Sequence, residues 1–283
     1  RGTKGRVEES FSRNFEWLFE NLLTYDCSFN KHNLSILGGA TQQRAQYNGS
    51  WMAGFDLAES YPDIHSISAA NQLDKDACGS SASAWTLASF LGRVAYNYDS
   101  RYLLTVNFRA DGSSRFVPGP LWGTFPSVSA AWRISQESWF PKNDVVNDLK
   151  IRVGYGVTGS QASVGNYSYL ASYNTSVYPF GTTSGNQTAL VSSTLANPYI
   201  HWEEVAQTNI GFDASLFNSR IVFSLDAYLK ETRDMLVKAS IPITSGFEDT
   251  TTTYTNAGKV RNQGLEMSLH TINLTGELGW ETN

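Results

Sequence analysis

The sequence predicts an all-β fold, an antiparallel up-and-down transmembrane β-barrel, with about ten strands of it present in residues 1–283. Three observations predict this. Successive segments alternate apolar and polar residues with a period of two, the connections between them are by turns short and long, and the clearest apolar rows carry no charge. The alternation is plainest between residues 90 and 134. There Tyr102, Leu104, Val106 and Phe108 fall on one parity, and Leu103, Thr105, Asn107 and Arg109 on the other. A period of two places the two sets on opposite faces of a sheet.

The first strand is read over Arg13 to Phe29, where Phe15, Trp17, Phe19, Leu23 and Tyr25 alternate with Glu16, Glu20, Thr24 and Asp26. A turn at Asn30, Lys31 and His32 leads into a return strand through Leu34 and Ile36 that fades near Arg44. The period is then lost, and Gln46 to Ser83 reads as a long loop with room for a short helix. Phe90, Val94, Tyr96 and Tyr98 restart the pattern, followed by the segment at Tyr102 and by Val128, Ala130, Trp132 and Ile134. A connection of moderate length holds Trp139, Phe140 and Pro141.

Leu149, Ile151, Val153, Tyr155 and Val157 form the next apolar row, opposite Lys150, Arg152 and Thr158, and a second long loop runs to about Tyr199. Thr208, Ile210, Phe212, Ala214 and Leu216 follow, with a turn at Asn218 and Ser219 into Ile221, Phe223, Leu225, Ala227 and Leu229. That is the clearest hairpin signal in the chain. A loop from about Lys238 to Asn256 precedes a strand carrying Leu265, Met267 and Leu269, and a last strand ends near Trp280.

Alternation alone fits either a soluble β-sandwich or a barrel in lipid with a wet lumen. Connection length chooses between them. Short links near residues 31, 99, 218 and 274, with a moderate one near 141, alternate with long ones. Outer-membrane barrels segregate turns and loops to opposite rims in this way, whereas a Greek-key sandwich has no reason to do so.

Composition agrees. With 14 Tyr, 15 Phe and 8 Trp but only 17% charged residues, the chain can present a large apolar surface. No run of apolar residues plus Gly exceeds five, too short for a transmembrane helix. The first residues, RGTKGRVEES, lack the apolar core of a signal peptide, and a piece of a longer precursor is the expectation. A net charge of -5 without a basic tract points away from nucleic acid.

Several phrases carry a resemblance: FLGRVAYNYDSRYLLTVNFRADGSSRF from Phe90, LWGTFPSVSAAWRIS from Leu121, DLKIRVGYGVTGSQASVGNY from Asp148, NPYIHWEEVAQTNIGFDASLFNSRIVFSLDAYLKETRDML from Asn197 and NAGKVRNQGLEMSL from Asn256. In order and spacing they resemble the later barrel portion of the SusC/RagA family of TonB-dependent outer-membrane transporters. The resemblance implies a barrel of about 22 strands with a plugged lumen, of which this chain would lack the signal peptide, the plug and the closing strand. It further implies residence in the bacterial outer membrane and no enzyme activity. The implied partners are a SusD-like surface lipoprotein, the TonB complex reached through the missing amino-terminal part, and an oligosaccharide or oligopeptide cargo. A passive porin-like barrel and a secreted carbohydrate-binding sandwich are the alternatives from other classes.

Candidate cargo contacts are the aromatics of the long loops, Trp51, Trp122, Tyr178, Phe180 and Tyr199, on which a sugar ring can stack or a peptide can pack. The family-motif loop Asp111, Gly112, Ser113, Ser114, Arg115 and Phe116 is read as structural, its Asp and Ser side chains bonding backbone N–H groups and Arg115 pairing with a carboxylate. No cofactor or metal site is expected. Gly154, Gly156 and Gly159 spell GxGxxG after a strand, yet no helical period and no acidic residue follow before Glu203. His32, His65, His201 and His270 lie in separate elements, Ser268 and His270 have no third catalytic member nearby, and Cys27 and Cys78 show no paired spacing.

Overall fold

The computed structural model describes residues 5–57, 66–116, 121–141, 143–179, 186–247 and 252–283. In chain order the strands are β1 (Arg6–Phe29), β2 (His32–Leu57), β3 (Ala70–Leu73), β4 (Gly79–Tyr98), β5 (Tyr102–Ser113), β6 (Trp122–Arg133), β7 (Val146–Ser160), β8 (Ser172–Pro179), β9 (Asn186–Thr194), β10 (Glu203–Leu216), β11 (Ile221–Arg233), β12 (Leu236–Ser240), β13 (Thr252–Asn256), β14 (Lys259–Leu274) and β15 (Trp280–Thr282). Ten of them follow one another in a single sheet, β1-β2-β4-β5-β6-β7-β10-β11-β14-β15, with β3 added beside β2. The pairs β8-β9 and β12-β13 form two separate ribbons. This is the antiparallel up-and-down order that the connection lengths predict.

Two compact units divide the chain. The first comprises residues 1–19 and 42–87. In it β3 pairs with the end of β2, Gly54 opposite Leu73, and the Asp74 N–H donates to the Ala53 carbonyl at 2.9 Å. The stretch read as a loop from Gln46 is therefore strand as far as Leu57, and strand resumes at Gly79. Backbone pairing extends a strand whatever its side chains. Alternation is needed only where one face of the segment is buried, in protein or in lipid. Among the described residues of this stretch, where the sequence allows a short helix, are two single 3₁₀ turns, Ile67–Ala69 and Lys75–Ala77.

The second unit, residues 20–41 and 88–283, holds the regular part of the sheet. Its registers align the apolar rows across strands. Tyr102, Trp132 and Ile151 make one rung, and Leu104, Ala130 and Val153 the next. These rows are bare: Phe108 and Val153 are each 49% exposed, Leu265 75% and Met267 72%. Apolar rows of that extent are not left to water. Polar rows lie on the opposite parity and hold one another. Arg152 on β7 donates to Asp213 on β10 at 2.7 and 2.9 Å and to Asp226 on β11 at 3.0 Å, while Ser224 donates to Asp213 at 3.0 Å. Arg152 and Asp226 stand on either side of Gly211, where a Cβ would lie 2.7 Å from the guanidinium carbon. The missing side chain lets the arginine reach across a whole strand.

The short connections are tight. Asp99 and Ser100 both have positive φ, 52° and 57°, as a two-residue hairpin turn requires. Phe217, Asn218 and Ser219 also lie in the left-handed region. Neighbouring turns are stitched together: the Asp99 N–H donates to the Lys31 carbonyl at 2.7 Å, Arg133 to Arg101 at 2.8 Å and Phe217 to Val145 at 2.8 Å. Charges do the same. Lys31 Nζ lies 2.8 Å from Asp99, Arg101 reaches Asp99 at 3.0 Å and Glu137 at 3.5 Å, and Glu137 accepts from the Tyr102 hydroxyl at 2.5 Å and from Trp132 Nε1 at 3.0 Å. The hydrogen bond from Lys31 holds the Asp99 carboxyl below its ordinary range, and those from Tyr102 and Trp132 do so for Glu137.

Candidate functional site

The long connections lie at the other end of the hairpins, and in outer-membrane barrels that end is the cell-surface rim. Within the second unit they are built on a small apolar core. Ile200 is fully buried, and Phe116, Val164 and Trp202 nearly so. Trp202 meets Phe116 at 5.0 Å and Phe125 edge-on at 5.4 Å, and its Nε1 donates to the Leu121 carbonyl at 3.1 Å. The ring of Phe125 lies where a side chain at Gly159 would be, so the third glycine of GxGxxG serves close packing on a strand.

Asp111, Gly112 and Ser113 end β5, and the turn carries Ser114, Arg115 and Phe116. Ser113 is fully buried, and its hydroxyl donates to the Gln161 side-chain oxygen and accepts the Arg115 N–H at 3.2 Å. Arg115 Nη1 donates to the Gln161 carbonyl at 3.1 Å. The motif thus ties the β5–β6 loop to the end of β7. Two details differ from expectation. Arg115 Nη1 bonds the Gln161 carbonyl where a carboxylate is expected. Asp111 takes both its bonds from Arg109 Nε, at 2.7 and 2.8 Å, because both side chains fall on the polar parity of β5, and backbone N–H groups are not its partners.

Two ribbons rise from this base in segments that the sequence presents as featureless loops. β8-β9 lies within the connection from β7 to β10, and β12-β13 within that from β11 to β14. Asparagines clamp the second ribbon to the base. Asn256 Nδ2 donates to the His201 and Asp234 carbonyls at 2.8 and 2.9 Å, its Oδ1 accepts the His201 N–H at 2.9 Å, and Asn197 Nδ2 donates to the Tyr254 carbonyl at 2.7 Å. Between the feet of the ribbons is a pocket of about 430 Å³ lined by Tyr167, Leu170, Leu195, Lys238 and Tyr254, with serine and threonine hydroxyls around it. The Lys238 ammonium lies 5.5 Å from the centre of the Tyr254 ring. Such a lining can hold an apolar or ring-shaped group and one polar or anionic group.

The aromatics singled out in the sequence fall on different elements. Tyr199 is in the loop before β10 and is 81% exposed. Trp51 and Trp122 are strand residues, which corrects their placement in loops, because β2 and β6 extend past the point where alternation stops. Each covers a glycine of the neighbouring element, Trp51 over Gly79 and Trp122 over Gly112, and Trp122 also stacks on Phe90 at 5.9 Å. Tyr178 is on β8, and Phe180 lies outside the described residues. Sequence reasoning missed Trp202, Gln161, Asn197 and Asn256. Trp202 and Asn197 were in view in the phrase NPYIHWEE, but partners 57 and 81 positions away were not.

The rings of the described histidines each have a hydrogen-bond partner, that of His201 being the Tyr199 carbonyl at 2.9 Å. His32 stacks on Phe29 at 4.7 Å with Nδ1 2.6 Å from the Tyr96 hydroxyl, and the His270 ring bonds the Asn283 side chain. His65 lies outside the described residues. Cys27 and Cys78 are free thiols. Among the described residues no group of His, Cys, Asp or Glu is placed to hold a metal ion.

A family model described as TonB dependent receptor-like, beta-barrel matches residues 4–283. The chain belongs to this family of TonB-dependent receptor barrels. Similar members include TonB-dependent receptor P39 of Formosa agariphila, 35% identical over 256 residues, covering 90% of this chain and 24% of that protein. TonB-dependent receptor SusC of Bacteroides thetaiotaomicron is 36% identical over 189 residues, 65% of this chain and 18% of SusC. A solved structure of the RagAB peptide transporter superposes with a TM-score of 0.83 at 26% identity, over 95% of this chain and 29% of the transporter chain. The receptor barrel described here thus spans about a quarter of the length of its relatives. Its family resides in the outer membrane, which accounts for the bare apolar rows: they are the lipid-facing rows of a barrel wall.

Proposed function

We propose that this chain supplies wall strands and cell-surface loops of a TonB-dependent importer of oligomeric nutrients, glycans in the first place, working with a SusD-like surface lipoprotein as lid. The observation that carries the reading is the match along the whole chain to the family's barrel, together with pre-shaped long loops over a polar inward face. In this reading cargo is held among the loops and the lid, and is released inward when TonB acts on the part of the parent protein that precedes the chain. Asp111 to Phe116 hold the loops in place. Tyr199, more exposed than Trp51 and Trp122, is the first cargo contact, with Trp51, Trp122, Tyr178 and Phe180 as further contacts. No bond is made or broken by these residues. A specific observation favours a second cargo class, since the structural neighbour is described as a peptide transporter.

The test is to purify the full-length parent protein from native outer membrane in mild detergent and identify by mass spectrometry what remains bound. A co-purifying lipoprotein with oligosaccharide or peptide is the expected result and names the cargo. A barrel recovered repeatedly with neither would overturn the lidded-importer reading.

A further inference from the structure

We propose that the lipid-facing side of this wall carries a preformed groove for one acyl chain of a glycerophospholipid, in the leaflet at the short-turn end. The groove is a dent of about 380 Å³ whose floor is Ala130. It arises from the register. Ala130 sits between Leu104 and Val153 on one rung, and the next rung toward the short turns is Tyr102, Trp132 and Ile151. One methyl group in the middle of larger side chains leaves a hollow, and Tyr96 of β4 also lines it.

The aromatic walls of this hollow are held in place. The Tyr102 hydroxyl and Trp132 Nε1 are both held by the Glu137 carboxylate, at 2.5 and 3.0 Å, and the Tyr96 hydroxyl is held by His32 at 2.6 Å. Each ring is fastened by its polar tip at the short-turn rim, which leaves its carbon body standing beside the groove. Glu137 is itself buried and paired with Arg101. A hollow with fixed walls binds without the usual cost of ordering side chains. Left empty, its lining would lack the dispersion contacts that a close-packed filling provides.

Its position names the occupant. The lining faces hydrocarbon, and Ala130 is two residues from Trp132, about 7 Å along the strand. Tyrosine and tryptophan tips mark the level of the lipid headgroups. The groove therefore begins at headgroup level and runs inward, where the first methylenes of a phospholipid chain lie. Ion pairs at this rim are internally balanced, Lys31 and Arg101 against Asp99 and Glu137, so the site selects for a chain and not for an anionic headgroup.

The test uses the full-length parent protein, extracted from native outer membrane and delipidated stepwise, with retained lipid counted by native mass spectrometry. Ala130→Phe fills the hollow. Val106→Phe adds the same ring on the same outward row away from it and is the control, and gel mobility without heating verifies that both barrels are folded. The expected result is one phospholipid retained by the unaltered protein and by Val106→Phe, and lost roughly tenfold, equivalent to about 1.4 kcal/mol, in Ala130→Phe. Equal retention in all three proteins would overturn the proposal. So would photo-crosslinking from position 130 that captures a second copy of the barrel or the lipoprotein in place of lipid.

Discussion

Glu137 shows at the scale of one residue how a side chain outside the alternating pattern organises its surroundings. It lies in a connection that looks unremarkable in sequence, yet it joins Tyr102 of β5, Trp132 of β6 and Arg101 of the turn before β5. Those bonds stabilise the ionised carboxylate, so its folded-state pKa is depressed, as is that of Asp99 through Lys31. A depressed carboxylate contributes stability that is fully present above its unfolded-state pKa and is lost as pH falls through the lower folded-state value. The parent barrel at neutral pH is expected to melt at a higher temperature than its Glu137→Gln variant, with the gap closing once the solution is acidified below the ordinary carboxylate range. A gap that stays constant with pH would show that Glu137 acts through packing alone. The polar parity of Arg152 was legible from alternation, but its reach over Gly211 to Asp226 was not, because that depends on which residue of a third strand falls opposite.

At the scale of elements, strands that meet hydrocarbon were legible and those beyond it were not. β5, β6, β7, β10 and β11 announce themselves because one face must be apolar and the other polar. β8, β9, β12 and β13 have no such obligation, and nothing in their composition separates a ribbon from a loop. What fixes the β12-β13 ribbon is a few side-chain bonds at its foot. Asn256 makes three of them, two as donor and one as acceptor, to backbone groups of residues 201 and 234. Its replacement by alanine leaves those partners to water, at about 0.5 to 1.5 kcal/mol for each hydrogen bond lost. Amide hydrogen exchange in residues 195–202 of the full-length protein is expected to accelerate markedly in Asn256→Ala, while exchange in β10 and β11 stays the same. Unchanged protection of 195–202 would mean that the Trp202 core alone holds the segment.

For the whole molecule the decisive property is which face is bare. A soluble protein hides its apolar rows, whereas this sheet turns them outward and keeps its ion pairs on the other side. Position along the strand then sets how much a charge costs. Val106 lies four residues from Tyr102, about 13 Å along β5 and near the middle of the hydrocarbon band. Val106→Arg is expected to destabilise the barrel by about 2 to 4 kcal/mol in vesicles, while Asn107→Arg on the lumenal parity costs less than about 1 kcal/mol. Reversible denaturant unfolding in lipid reads both, and equal costs would mean that the two faces have been assigned the wrong way round.

The alternation, the charge-free rows and the alternating connection lengths sufficed to determine an antiparallel membrane barrel wall and to place most of its strands, because a bilayer imposes its demand on every strand separately. Each strand must satisfy that demand locally, so it is written locally. The tertiary structure alone decided what lies between strands: the extension of β2 and β4, the two ribbons, the Trp202 core, and the clamps at Gln161 and Asn256. It alone also revealed the hollow over Ala130. These depend on register and on contacts between residues tens of positions apart, where a one-residue shift exchanges every neighbour and composition stays the same.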